Sequence, residues 1–303
     1  MRIAITGSTG LVGSKCVEHF LKHKHRVLRF VRQQTIFNDN SSFEIWDPNA
    51  FILDQASLES CDCVIHLSGA NISNPWTAHY KKEILSSRVN STRFLSQILA
   101  QLKNKPKAFI SASAIGIYGN HESHVLLDES SPQGKEFLAD VCRQWEEETF
   151  AAEQAGIRVV QLRLGVVLAK EGGALKKMLP IFKKGLGGKL GDGKQMMSWI
   201  ALSDIPRIIE FIINNERLKG EINAVSPQAV SNQEFTKILG QVIKRPTIFP
   251  VPGFAVRMMF GEMGQTLLLE GAHVFPKKLI DAGFKFEWPG LKSALENELR
   301  NKK

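Results

Sequence analysis

The stretch "ITGSTGLVG", residues 5–13, carries three glycines, Gly7, Gly10 and Gly13, in a G-x-x-G-x-x-G pattern. It follows the short apolar run Arg2–Thr6 and opens an amphipathic stretch, Leu11–Lys22. That strand–turn–helix setting separates a phosphate-binding loop from a chance cluster of glycines. Gly7 permits a tight turn, Gly10 lets the backbone approach a pyrophosphate, and Gly13 lets the helix pack on the strand. The N–H groups near Thr9, Leu11 and Val12 face the anion, with the helix dipole behind them. A bound dinucleotide is the expectation.

Working outward, the periodicity alternates. Arg2–Thr6, Arg26–Val31, Asp62–Leu67, Ala108–Ser111 and Arg158–Leu164 read as buried parallel strands. Leu11–Lys22, Trp76–Leu102 and Phe137–Ala155 read as amphipathic helices. This alternation predicts an α/β fold with a doubly wound parallel sheet. After Leu164 the rhythm changes to a Gly- and Lys-rich stretch, and Gly220–Val225 reads as one more strand. Ser231 is placed to cap a helix running to about Ile243, with Glu234 at the capping-box position. The expected division is a nucleotide-binding domain at 1–165 and a smaller substrate-side domain at 166–303. Residues 198–226 or so return to the main layer.

The end of the second strand selects between two cofactors. An NAD site usually places Asp or Glu there for the ribose 2′-hydroxyl. In "RVLRFVRQQ" no acid follows the strand, and Arg32 stands at its end. A guanidinium can hold a 2′-phosphate through charge-assisted bonds. NADP is therefore favoured, with NAD as the alternative; a solvated surface arginine is the plainer reading of Arg32.

Composition bounds the rest. The 303 residues are 43% hydrophobic and carry a net charge of +9, which fits a folded globular chain. The lysines are scattered over loops and helix ends without interleaved aromatics, so a nucleic-acid partner is not expected. No run of eighteen apolar residues suggests a membrane span. The first strand begins at residue 2, leaving no room for a leader and pointing to the cytoplasm. Cys16, Cys61, Cys63 and Cys142 form no C-x-x-C pair and read as free buried thiols. His121 and His124 of "HESH" lack further ligands nearby, so no metal is expected.

Taken together, "ITGSTGLVG", "VIHLSGANI" (64–72), "RVNSTRFL" (88–95) and "FISASAIGIYG" (109–119) resemble the extended short-chain dehydrogenases/reductases. With "FLADVCRQWE", "LRLGVVL" and "SWI…SD", the fit is to an atypical branch, the epimerase family. The resemblance implies a Rossmann sheet, a small C-terminal substrate domain, a bound dinucleotide and a small-molecule substrate that the sequence does not specify. It implies that Gly7, Ser8, Thr9, Gly10, Leu11 and Val12 bind pyrophosphate and that Arg32 meets the adenosine ribose. Leu67, Ser68, Gly69 and Ala70 would pass under the cofactor. Ser111, Ala112 and Ser113 would end a strand beside the nicotinamide, and Leu164, Gly165 and Val166 would contact its carboxamide. Arg88 would lie on the cofactor side of the long helix, next to Asn90 at the superfamily's Asn position. A homodimer through the two long helices is the family analogy.

One departure puts the reaction in doubt. The superfamily's Tyr-x-x-x-Lys pair supplies a phenol whose pKa a nearby ammonium lowers, with both side chains on one helix face. The matching positions here are Phe137 and Val141. The two tyrosines, Tyr80 and Tyr118, are followed four residues on by Ile84 and Glu122, so the motif is absent from the whole chain. Losing positioned acid–base chemistry costs about 10²- to 10⁴-fold. The candidate catalytic residues left are Ser113, whose alignment is shared with Ala114, and Tyr118; a packed aromatic is the alternative for Tyr118. Two readings follow: an NADP-dependent oxidoreductase or epimerase-like protein with a displaced acid/base, or a non-catalytic NADP-binding regulatory protein.

Overall fold

The computed structural model describes residues 1–32 and 37–300. Its strands, in chain order, begin with β1 (Arg2–Thr6), β2 (Arg26–Val31), β3 (Ser42–Asp47), β4 (Ile52–Leu53), β5 (Cys63–His66), β6 (Ala108–Ala114) and β7 (Leu126–Leu127). They continue with β8 (Arg158–Leu164), β9 (Val166–Leu168), β10 (Met196–Met197), β11 (Trp199–Ala201), β12 (Gly220–Ala224), β13 (Val230–Ser231) and β14 (His273–Val274). The helices are α1 (Leu11–Lys22), α2 (Ala78–Gln101), α3 (Phe137–Glu147), α4 (Phe150–Gln154), α5 (Gly173–Lys183) and α6 (Asp204–Asn214). Then come α7 (Asn232–Ile243), α8 (Gly253–Gly264), α9 (Lys277–Asp281) and α10 (Leu291–Leu299).

Eight strands form one sheet in the order β12-β8-β6-β5-β1-β2-β3-β4. Every pairing is parallel except β3 with β4. The fold class is the α/β doubly wound Rossmann sheet expected. Residues alternate between faces, as the pleat requires. Ile3 and Ile5 join Val27, Ile110 and Ile222 on the face covered by α1 and α6. Ala4 joins Leu28, Val64 and Phe109 on the face covered by α2. A separate cluster of Leu175, Trp199, Phe235 and Leu295 ties α5, α7 and α10 together.

Several local departures have physical causes. The stretch 137–155 is two helices. Thr149, fully buried, donates its hydroxyl to the Glu146 carbonyl at 2.7 Å and accepts from Gln161 at 2.9 Å, and a hydroxyl bonding back into the ladder bends a helix. Asp204 begins α6 but does not cap it by side chain. Its buried carboxylate instead accepts the N–H groups of Glu287 (2.9 Å) and Trp288 (3.2 Å) and pairs with Arg207 at 2.6 Å. The same bonds tie down the segment 282–290, which is irregular between α9 and α10.

Candidate functional site

From β1 the chain winds outward in both directions, through β2 and β3 on one side and through β5, β6, β8 and β12 on the other. The switch point lies between β1 and β5, where open α/β sheets bind ligands at the carboxyl edge. The loops after these two strands touch. Gly7 has φ +65°, and a Cβ there would stand 2.7 Å from the carbonyl carbon and oxygen of Leu67. At Gly13 a Cβ would fall 2.1 Å from the Gly7 oxygen. A side chain at either position would force α1 or the Leu67 loop away.

This construction leaves α1 with an open start. Gly10 occupies the cap position with no side-chain bond, and the first turn holds no acidic residue. The first helical bond runs from Ser14 N–H to Gly10 O at 2.9 Å, so the N–H groups of Leu11, Val12 and Gly13 have no helical acceptor. The Ser8 hydroxyl in the same loop is buried and unpartnered among the described residues. A buried polar atom without a partner calls for an explanation, and a phosphate oxygen would supply one. A dinucleotide fits this cradle.

Around it, Leu67–Ala70 follows β5, and Arg88 backs it from α2. Arg88 donates to the carbonyls of Ala70 (3.0 Å) and Ile84 (2.9 Å) and lies 5.2 Å from the Trp145 ring centre. Among the described residues it makes no ion pair with a carboxylate, and burial lowers its pKa. Asn90, two positions on, is exposed on the outer side of α2. Arg32 is exposed at the end of β2. The next acid along the chain, Asp39, is held by Arg29 and by Ser41. Gly165 has no room for a side chain: a Cβ would stand 2.7 Å from the Ser198 oxygen and from Val225 Cγ1.

The nicotinamide side departs from the expectations. Tyr118 is fully buried; its hydroxyl donates to Asn223 Oδ1 at 2.8 Å and accepts from Arg163 at 3.0 Å. Burial raises its pKa, and the Arg163 charge offsets this only in part. The phenol is a packed core group, not one open to a substrate. Ser113 is buried as well and donates to Glu146 Oε1 at 2.6 Å; Ser111, behind it, is also buried. Ala114, partly exposed, ends β6 at the edge. Phe137 lies against Trp76, ring centres 5.3 Å apart, with Lys81 Nζ 4.2 Å above its ring. Lys81 pairs with Glu262 of α8 at 2.7 Å. Val141 is buried.

Beneath this wall runs a polar network that the sequence reading missed. Arg163 of β8 holds Glu146 of α3 through two bonds, 2.9 and 2.8 Å, with both side chains out of solvent. Ser113 joins through Glu146, and Tyr118 through Arg163. Asn223 continues the chain to Glu129, which accepts its N–H at 3.0 Å. The available signal was Arg163 within the apolar strand "RVVQLRL", since a charge inside a buried strand must have a partner.

His66 is a core histidine, bonded to Thr6 (2.7 Å) and Ser91 (3.2 Å), with its pKa pushed down to about 3 by burial. All four cysteines are free and buried. Trp199 is core, bonded to the Gln228 carbonyl, while Met258 and Met259 are exposed on α8. Among the described residues no helix is long and apolar enough to cross a membrane.

A family described as the NAD dependent epimerase/dehydratase family matches residues 3–225, and a domain family of unknown function matches 251–298. The chain belongs to the NAD-dependent epimerase/dehydratase family. Within it, this is an atypical extended short-chain dehydrogenase/reductase. It is 38% identical over 294 residues to an epimerase family protein of Mycobacterium leprae, covering 97% of this chain and 94% of the other. It is 36% identical to an epimerase family protein SDR39U1 homolog, chloroplastic, of Arabidopsis thaliana, covering 97% and 86%. Among solved structures, human epimerase family protein SDR39U1 (isoform 2) with NADPH superposes with a TM-score of 0.89 at 28% identity, covering 99% of this chain and all of that one.

Proposed function

We propose that this chain binds NADP across the β1–β5 switch point and acts as an oxidoreductase- or epimerase-like protein on a small molecule. The observation that carries the proposal is the phosphate cradle: two glycines that tolerate no side chain, an uncapped helix start and the unpartnered Ser8 hydroxyl. Arg32, with no acid at the end of β2, supports the phosphorylated cofactor. The human relative solved with NADPH supports the same choice. In this reading Gly7, Ser8, Thr9, Gly10, Leu11 and Val12 surround the pyrophosphate. Leu67–Ala70, Ser111–Ser113 and Leu164–Val166 follow the cofactor along the sheet edge, with Arg88 as a half-buried positive charge beneath it.

The bound cofactor would supply hydride; the protein must supply position and a proton. Positioning alone is a large share of catalysis. With Tyr118 sealed in the core, Lys81 is the group that can hold a proton against Phe137, where the superfamily's phenol would stand. Glu262 keeps that ammonium aimed at the ring. The second reading, a non-catalytic NADP-binding regulatory protein, rests on Phe137 and Val141, which carry neither proton nor charge.

The test is NADPH carrying deuterium at the transferable position, incubated with the protein and a panel of aldehydes, ketones and nucleotide sugars. Deuterium transfer to any member, lost in Lys81→Met with NADPH binding kept, supports the enzyme. Binding without transfer to any member supports the regulatory reading.

A further inference from the structure

At the far end of α1 from the phosphate loop, three imidazoles gather around one carboxylate. His19 and His23, at i and i+4, share a helix face. His19 Nε2 lies 2.8 Å from Glu210 Oε2, and His23 Nδ1 lies 2.9 Å from Glu210 Oε1. His25 follows a turn made by Lys24, whose φ is +61°, and brings its Nε2 to 3.5 Å from the same carboxylate. Glu210 comes from α6, so the group joins two helices that are neighbours on one face of the sheet. The ligating atoms of His19, His23 and Glu210 all lie within 4.8 Å of one another.

We infer that His19, His23 and Glu210 form a zinc site, with His25 or water as the fourth ligand. Zinc takes nitrogen at 2.0–2.1 Å and carboxylate oxygen at about 2.0–2.2 Å in a tetrahedron. Neighbouring donors of a tetrahedron that size stand about 3.4 Å apart, so the two His–Glu210 contacts, at 2.8 and 2.9 Å, need to open by about half an ångström. Two imidazoles and a carboxylate make a borderline donor set suited to zinc.

Two cations of the cleft are engaged elsewhere, Arg207 with Asp204 and Lys15 with Glu18; Lys22 and Lys285 line it as well. Solvent reaches the site through a cleft of about 660 Å³ that His19, His23 and Glu210 line. The phosphate loop is one helix length away, about 18 Å, so the metal would not touch the cofactor. It would pin α1, the helix that presents the phosphate loop, to α6.

The experiment is a titration of chelator-treated protein with Zn²⁺ against a chromophoric chelator, and with Co²⁺ read by its visible absorption. One equivalent should bind, with the intense bands of tetrahedral cobalt. His23→Gln, at a half-exposed position, and Glu210→Gln should each weaken binding by more than about 100-fold, beyond what an outer-shell change gives. Far-UV circular dichroism serves as the check that the variants are folded. His124→Ala, in the exposed loop histidine pair, should leave zinc binding unchanged. Sub-stoichiometric binding, binding that survives His23→Gln and Glu210→Gln, or loss in His124→Ala would each overturn the assignment.

Discussion

Glu146→Gln keeps the shape of the side chain and removes its charge, leaving the Arg163 guanidinium buried without its carboxylate. Arg163 is 3% exposed and Glu146 10%, so water cannot replace what is lost. Breaking a buried pair from one side costs about 3–5 kcal/mol. Gln retains an acceptor for Ser113, which places it near the lower figure, while Glu146→Ala should reach the upper one. At about 2–4 °C per kcal/mol for domains of 150–250 residues, the melting temperature should fall by about 6–20 °C. Glu146→Leu combined with Arg163→Leu removes both charges and should recover part of the loss. The Ser113 hydroxyl then loses its acceptor, at about 1–3 kcal/mol, while Tyr118 keeps Asn223. Urea unfolding of the two singles and the double gives the coupling energy, expected at about 2 kcal/mol or more. Singles that cost under about 1 kcal/mol, or costs that simply add, would show that this network is not what holds the floor of the site.

Further outcomes follow from other residues. Gly13→Ala puts a methyl 2.1 Å from the Gly7 oxygen; α1 must shift, and NADPH affinity should fall at least about 10-fold, or 1.4 kcal/mol, in a binding titration. His66, charged when unfolded below about 6.5 but held neutral in the core down to about 3, makes the unfolded chain bind the extra proton in that window. Stability should therefore fall with pH across it by up to about 1.4 kcal/mol per unit, and His66→Gln should flatten that limb; an unchanged slope refutes the assignment. Phe137→Tyr places a phenol under Lys81, and if Lys81 is the proton source, turnover should rise in a deuteride-transfer assay while NADPH affinity stays level.

How much was legible follows from where each signal lives. The phosphate loop and the strands Arg2–Thr6, Arg26–Val31 and Arg158–Leu164 were readable because the buried parallel sheet leaves unbroken apolar runs. The Ser231 cap was readable because its chemistry is local: its hydroxyl accepts the Glu234 N–H at 3.1 Å, and α7 ends at Ile243. β3 went unlisted because Ser42–Asp47 lies toward the sheet edge, and its half-exposed, mixed residues hide the period. The break after Glu147 depends on Thr149 being held by Gln161, twelve residues beyond it, and could not be seen in the helix itself. The same holds for the site. Tyr118 drew notice as a tyrosine near a strand end, but Asn223 and Arg163, which seal it in, come from two other strands. Yet "SASAIGIYG", "FLADVCRQWE" and "LRLGVVL", the segments that carried the family resemblance, contain Ser113, Tyr118, Glu146 and Arg163. The resemblance rested on the network before its geometry was visible.

The central claim is that the β1–β5 edge holds a phosphorylated dinucleotide through the glycine loop and Arg32. Fluorescence titration with NADPH and with NADH, on the wild type and on Arg32→Ala, tests it most directly. Charge-assisted bonds of about 1.5–3 kcal/mol predict an NADPH preference of roughly 10- to 150-fold that collapses in the variant while NADH binding is unchanged. Binding of neither nucleotide, or a preference that survives the loss of Arg32, would contradict the account.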